Sequence, residues 1–220
     1  VYWGTMLAIV EMIRRGTVAF ADQYFFMDAV GRAAVESGIR ANICRGSNTR
    51  EGVDSTTDLF NSWHGAGEGR VRVLMGVHSE YLTEPEMVDY AVERAGELGV
   101  GFHVHVSETM SEVAGCYQRH GVSPVRFFEQ RRLFDRPAIA AHCVHVSDAD
   151  IEILARKGVY VAHNPASNLK LGSGVARVAE MLERGVRVAL GTDGPSSNNA
   201  LDMMADMRLA SLLQKGFRQD

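Results

Sequence analysis

The sequence is short of cysteine, of long apolar runs and of charge blocks, and each shortage closes off a class of protein. Three cysteines, Cys44, Cys116 and Cys143, occur in 220 residues. Their odd number and unpaired spacing exclude a disulfide framework and a structural zinc knuckle, which leaves them as packing residues. No apolar run approaches the roughly 18 residues of a membrane span. The opening VYWGTMLAIVEMIRRG lacks the basic start and cleavage site of a secretion signal, so the cytoplasm is the expected compartment. The net charge of −4 is spread without long runs of one sign, so neither nucleic acid nor a membrane is an expected partner. No Gly-x-Gly-x-x-Gly turn follows an early strand, which removes the main sign of a dinucleotide-binding sheet.

What is present is a repeating βα pattern in a chain with enough apolar content, 46%, for a well-filled core. Strands are expected at 17–24, 39–46, 71–79, 100–108, 137–145, 159–167 and 187–195. Helical spacing separates them, as in Met87, Val88, Ala91, Val92, Ala95 and Leu98 after a cap expected near Thr83. Gly16, Gly38, Gly99, Gly158 and Gly185 fall where helices should end. Nearly every strand finishes in a polar group: Asp22, Arg45, His78, Glu108, His142, Asn164 and Asp193. A barrel gathers all its strand ends at one mouth, whereas an open sheet uses few of them, so the pattern favours an α/β barrel of the (β/α)8 kind. Seven strands are visible where about eight are needed. The absent one is expected before residue 1, leaving edges on the strands at 17–24 and 187–195.

The stretch GFHVHVSET places His103 and His105 on one strand face, with Glu108 at the strand's end. Each has an ordinary structural reading, a satisfied core histidine or a solvated glutamate. That reading weakens when His142 and Asp193 are set alongside. Two imidazoles and two carboxylates at one mouth suit a borderline cation such as zinc.

The segments HVHVSET, AAHCVHVSDADIEILARKGVYVAHNPASNLKLGSG and VALGTDGPSSNNALDMMADMRLASLLQKG closely resemble the amidohydrolase superfamily, in particular its 5-methylthioadenosine/S-adenosylhomocysteine deaminases and chlorohydrolase-like relatives. VEMIRRGTVAFADQYF and GIRANICRG resemble the second and third barrel strands of the same group, so the likeness covers nearly the whole chain. It implies a metal-dependent hydrolase barrel with residues 1–220 supplying strands two to eight, without the family's flanking β-sandwich. It implies one divalent metal, zinc with iron(II) or manganese(II) as alternatives, held by His105 and Asp193. His103 is not a ligand on this reading. Glu108 becomes the proton shuttle, and His142 contacts the attacking water or the substrate. The family's other two ligands form a His-x-His pair on the first strand, which this sequence lacks. The chain as given is therefore expected to hold metal weakly or not at all.

The resemblance also implies substrate contacts by His78 and Arg45 alongside Glu108 and His142. Arg45 is suited to a carboxylate tail, with a strand-end ion pair as its plain alternative. Arg50 could assist it, although the loop expected at NTREGVDSTTD matches the family poorly. Asp22 and His163 read as inner-face residues, and Tyr24, Phe25 and Phe26 as core packing or mouth lining. The expected partner is a purine nucleoside or related heterocycle, handled by a homo-oligomer. Guanine deaminase, an s-triazine hydrolase and a non-catalytic fragment lacking the His-x-His pair are the competing readings.

Overall fold

The computed structural model describes residues 1–218, which divide into two compact units. Unit one holds residues 1–78 and 82–103; unit two holds residues 79–81 and those from Val104 onward.

Unit one begins with α1 (Tyr2–Arg14), β1 (Ala19–Tyr24), α2 (Met27–Ser37), β2 (Arg40–Arg45), α3 (Arg50–Trp63), the short turn α4 (Ala66–Gly69) and β3 (Val71–Val73). It continues with β4 (Met75–Val77), α5 (Pro85–Leu98) and the first residues of β5 (Phe102–Val106). β1, β2 and β3 are parallel and adjacent in that order, with Phe20 opposite Ala41 and Ile43 opposite Val73. The single strand expected at 71–79 is interrupted at Leu74. Leu74 still donates its N–H to Ile43, while Met75 donates to Gly101, so the chain changes partners there. Ile9, Met27, Val30, Ile43, Leu59, Val71 and Val73 form the buried core under this sheet. Two local expectations are corrected. The segment taken for a loop at NTREGVDSTTD is the start of α3, where Thr49 caps the helix by accepting from the Gly52 N–H. The cap expected near Thr83 falls on the next residue, Glu84, where Pro85 sets the first helical φ without needing a donor. Tyr24 at the end of β1, and Phe25 and Phe26 on the turn into α2, are exposed and not packed in a core.

Unit two carries the remainder of β5, then α6 (Met110–His120), α7 (Pro124–Gln130), β6 (Ala138–His142), α8 (Asp148–Lys157) and β7 (Tyr160–His163). α9 (Pro165–Lys170), α10 (Val178–Glu183), β8 (Arg187–Leu190), α11 (Pro195–Asn198) and α12 (Met203–Arg218) complete it. β5, β6, β7 and β8 are neighbours in that order, with β7 parallel to both β6 and β8. β6 is almost wholly buried, as parallel strands covered on both faces are, whereas β8 at the end of the row alternates exposed and half-buried residues. Phe128, Leu133, Ile151, Leu154, Val161 and Met181 are fully buried. A reciprocal capping box between Ser147 and Asp150 starts α8. The buried Glu80 belongs here because its carboxylate takes both Arg119 nitrogens, at 2.9 and 2.7 Å, and His120 at 2.9 Å. All three cysteines are free and buried, as packing residues should be. The five glycines expected at helix ends all have positive φ. Among the described residues no helix is long and apolar enough to cross a membrane.

One glycine is dictated by backbone approach. A Cβ on Gly76 would stand 1.9 Å from the Arg45 carbonyl oxygen, where β2 and β4 run close. Gly76→Ala is expected to destabilise the protein by about 1–3 kcal/mol through forced separation of these backbones. A melting temperature equal to that of wild type would contradict this.

Candidate active site

The polar residues of unit two converge at the C-terminal ends of β5, β6, β7 and β8. β5 and β6 end in left-handed backbone at Ser107 (φ 52°), His142 (φ 73°) and Cys143 (φ 46°), and the loop beyond β8 takes the same conformation at Asp193 (φ 57°). Non-glycine residues adopt such angles only where surrounding contacts compensate, and they gather at functional sites. Here the turns end β5 and β6 abruptly and turn the chain beside Glu108, His142 and Asp193.

His142 is the best-fixed member. Its ring is buried, its Nδ1 donates to the Asn168 amide oxygen at 2.9 Å, and the Asn164 side-chain nitrogen lies at 3.5 Å. A proton on Nδ1 leaves the Nε2 lone pair available on the neutral ring. Nε2 stands 3.9 Å from the Glu108 carboxylate. The His105 ring stacks on His142 with centroids 5.6 Å apart and planes 24° from parallel. Glu108 is half-buried and accepts from the Ser173 hydroxyl at 2.9 Å. Ser173 in turn receives His145 Nε2 on its backbone oxygen at 2.6 Å.

Asp193 accepts from the Ser167 hydroxyl at 2.6 Å and from the Gly194 N–H at 2.7 Å. Burial pushes its carboxyl up. Those two hydrogen bonds, together with the imidazoles of His142 and His105, outweigh burial and hold it below the ordinary range. The glycine of the GTDG motif has a steric cause: a Cβ on Gly191 would lie 2.2 Å from the Asn164 amide oxygen. Asp206, on α12, accepts from the Ala166 N–H and from the Asn198 side chain, tying α9 to α11.

Thus His105, Glu108, His142 and Asp193, all named from sequence, stand in one unit and interact. Ser167, Asn168, Ser173 and His145 were not singled out. Three of them lie in the segment HNPASNLKLGS, which showed the resemblance without showing what its hydroxyls and amides touch. Arg45 and His78 belong to unit one. Arg45 is engaged there, with Asp28 at 2.5 Å and the Ser55 carbonyl at 2.8 Å, while His78 is half-buried just beyond β4. Arg50 lies over the Tyr90 ring, 3.9 Å from its centroid. The imidazole and carboxylate donors of His105 and Asp193 suit zinc in kind, but two ligands fall short of four. Among the described residues no group of three or more histidines, cysteines and carboxylates is disposed to hold an ion.

The amidohydrolase family model matches residues 1–220. The chain belongs to the amidohydrolase family. It is 50% identical over 227 residues to a 5-methylthioadenosine/S-adenosylhomocysteine deaminase from Moorella thermoacetica, covering all of this chain and 53% of that protein. It therefore spans about half the length of the curated relatives it matches. Among solved structures, an adenosine deaminase from Xanthomonas campestris with bound zinc matches the whole chain, and 52% of its own, at 32% identity and a TM-score of 0.91. An atrazine chlorohydrolase from Arthrobacter aurescens complexed with zinc matches the whole chain, and 54% of its own, at 26% identity and a TM-score of 0.92. The fold class is accordingly the α/β barrel of the family's metal-dependent hydrolases, of which the chain holds a part.

His163 closes β7 with neither ring nitrogen hydrogen-bonded among the described residues, and burial together with the neighbouring His142 imidazole lowers its pKa to about 4. Its folded value lies below the unfolded one, near 6.5. Its contribution to stability is therefore present above pH 6.5 and is lost as the pH falls towards 4. His163→Phe is expected to flatten urea-unfolding stability across that interval by roughly 3 kcal/mol. An unchanged slope would show that another group titrates there.

Proposed function

We propose that the protein containing this chain is a metal-dependent hydrolytic deaminase of an adenosine-type heterocycle, with 5-methylthioadenosine and S-adenosylhomocysteine as candidate substrates. The observation that carries the reading is the Glu108–His142–His105 stack beside an ionised Asp193. It occurs in a chain about half identical to deaminases of that name. On this reading residues 1–220 are strands two to eight of the barrel, the flanking β-sandwich lies outside them, and the protein works in the cytoplasm as a homo-oligomer.

His105 and Asp193 are the residues that would hold the metal, which we read as zinc, with its remaining ligands outside this sequence. When bound, such an ion supplies water acidic enough to yield hydroxide near neutral pH. The chain's own groups do the rest. Asp193, kept ionised by Ser167 and Gly194, accepts the proton of the attacking water. His142, its ring locked by Asn168, presents Nε2 to orient that water. Glu108 in its acid form delivers a proton to the ring nitrogen beside the carbon under attack, so negative charge does not accumulate there. The proton taken up by Asp193 passes to the amino group, which leaves as ammonia, and the proton of the new hydroxyl returns to Glu108 as the ring carbonyl forms. Ser173 holds the Glu108 carboxylate at its other oxygen. His78 and Arg45 are assigned to substrate binding, where a carboxylate tail would compete with Asp28 for Arg45.

A chlorohydrolase of s-triazines would use the same residues with a different leaving group, and the likeness to the Arthrobacter enzyme favours keeping it as the second reading. Release of ammonia or of chloride from the intact protein separates the two. Glu108→Gln and Asp193→Asn are each expected to lower kcat by at least about a hundredfold without changing the melting temperature. Undiminished turnover in either variant would overturn the role given to that residue. Arg45→Ala is expected to lower kcat/KM for S-adenosylhomocysteine more than for 5-methylthioadenosine, because only the former carries a carboxylate. Equal losses would leave Arg45 as the partner of Asp28 alone.

A further inference from the structure

Glu112 sits in the first turn of α6, and its carboxylate is buried although it carries no salt bridge among the described residues. One of its oxygens accepts the Ser107 backbone N–H at 2.7 Å and the other accepts the Glu108 backbone N–H, also at 2.7 Å. Its own N–H is held by the Thr109 hydroxyl at 3.1 Å. An ordinary capping box would stop at the residue that caps the helix. Here the carboxylate reaches past it to the two residues that link β5 to α6. Ser107 is completely buried and carries the left-handed φ of 52° that swings the chain out of the strand. Two short charge-assisted bonds are what fix that unfavourable angle, and Glu108 is the very next residue. The Glu108 side chain is then aimed from a backbone that cannot rotate, towards Ser173 and His142.

We propose that Glu112 is a positioning residue for Glu108. Its carboxylate clamps the Ser107–Glu108 backbone so that the proton-donating carboxyl meets the substrate at a fixed height over the stacked histidines. The inference rests on the deaminase reading of Glu108. Glutamine at position 112 keeps the shape but turns one oxygen into an N–H donor, which must face a backbone N–H and release it. The clamp is lost on one side while the helix cap at Thr109 remains.

The test uses the intact, zinc-loaded protein with 5-methylthioadenosine. Glu112→Gln is expected to lower kcat per bound zinc by roughly ten- to a hundredfold with KM within about twofold, since alignment for proton transfer is lost and binding is not. The Glu108→Gln/Glu112→Gln double variant should fall no further than Glu108→Gln alone, because Glu112 acts only through Glu108. Backbone amide exchange at Ser107 and Glu108 should be slow in the wild type and faster in Glu112→Gln, a readout independent of any substrate. An active wild type with unchanged kcat in Glu112→Gln overturns the inference, and so do losses that multiply in the double variant, which would mark a merely structural residue. A zinc-loaded wild type that releases no ammonia overturns the deaminase reading instead, and the role of Glu112 falls with it even where the amide exchange confirms the clamp. Should Glu112→Gln fail to fold, Glu112→Asp, one methylene shorter, is expected to show the same drop in kcat with unchanged KM; undiminished turnover there overturns the inference.

Discussion

The hydrogen bond between the Asn168 amide and His142 Nδ1 is the contact on which the site depends, because both side chains are almost completely removed from water. A buried imidazole without a partner costs free energy, and one with a partner on Nδ1 has its ring plane and tautomer settled together. From that fixed ring follow the stacking of His105 on one face and the approach of Glu108 to Nε2. Asn168 is itself held by α9, whose start is anchored through Ala166 to Asp206 on α12. Helix packing thus reaches the reacting groups through a short chain of polar contacts rather than through flexible loops.

The same economy governs the strand ends. A parallel strand covered on both faces is largely apolar, so polar chemistry gathers towards its C-terminal end, as at His105, the penultimate residue of β5. Stopping within one or two residues requires backbone that most side chains avoid, and each such turn is compensated locally. Glu112 holds Ser107, Gly191 yields space to Asn164, and the Gly194 N–H and Ser167 hydroxyl hold Asp193. Strain and hydrogen bonding are therefore matched residue by residue at the positions that carry the chemistry. His163 is the exception. It is buried without a hydrogen-bond partner among the described residues, and so is maintained as a neutral ring by its surroundings.

Much of this was legible from the chain itself. Alternation of apolar runs with helical spacing located seven strand regions, one of which the structure divides into β3 and β4, because apolar runs and helical periodicity are both read locally. His105, Glu108, His142 and Asp193 were readable because a charged or imidazole side chain at the end of an apolar run is conspicuous. Arg45 was conspicuous for the same reason, yet its ion pair with Asp28 involves a residue seventeen positions earlier that nothing in the local sequence couples to it. The exposure of Phe25 and Phe26 was equally hidden, since aromatic type alone does not say whether anything packs over a turn.

The sequence by itself determined the βα order, the places where helices end at glycine, and the identity of the groups able to hold a metal or move a proton. Those properties are local, set by side-chain periodicity and by residue chemistry. Only the tertiary structure decided which oxygen or nitrogen each of those groups meets. Ser173 on Glu108, Asn168 on His142, Ser167 on Asp193 and Glu112 on the Ser107 backbone are the contacts that orient the site. Serine, asparagine and glutamate are common on any surface, and they acquire direction only when folding buries them beside an unsatisfied partner.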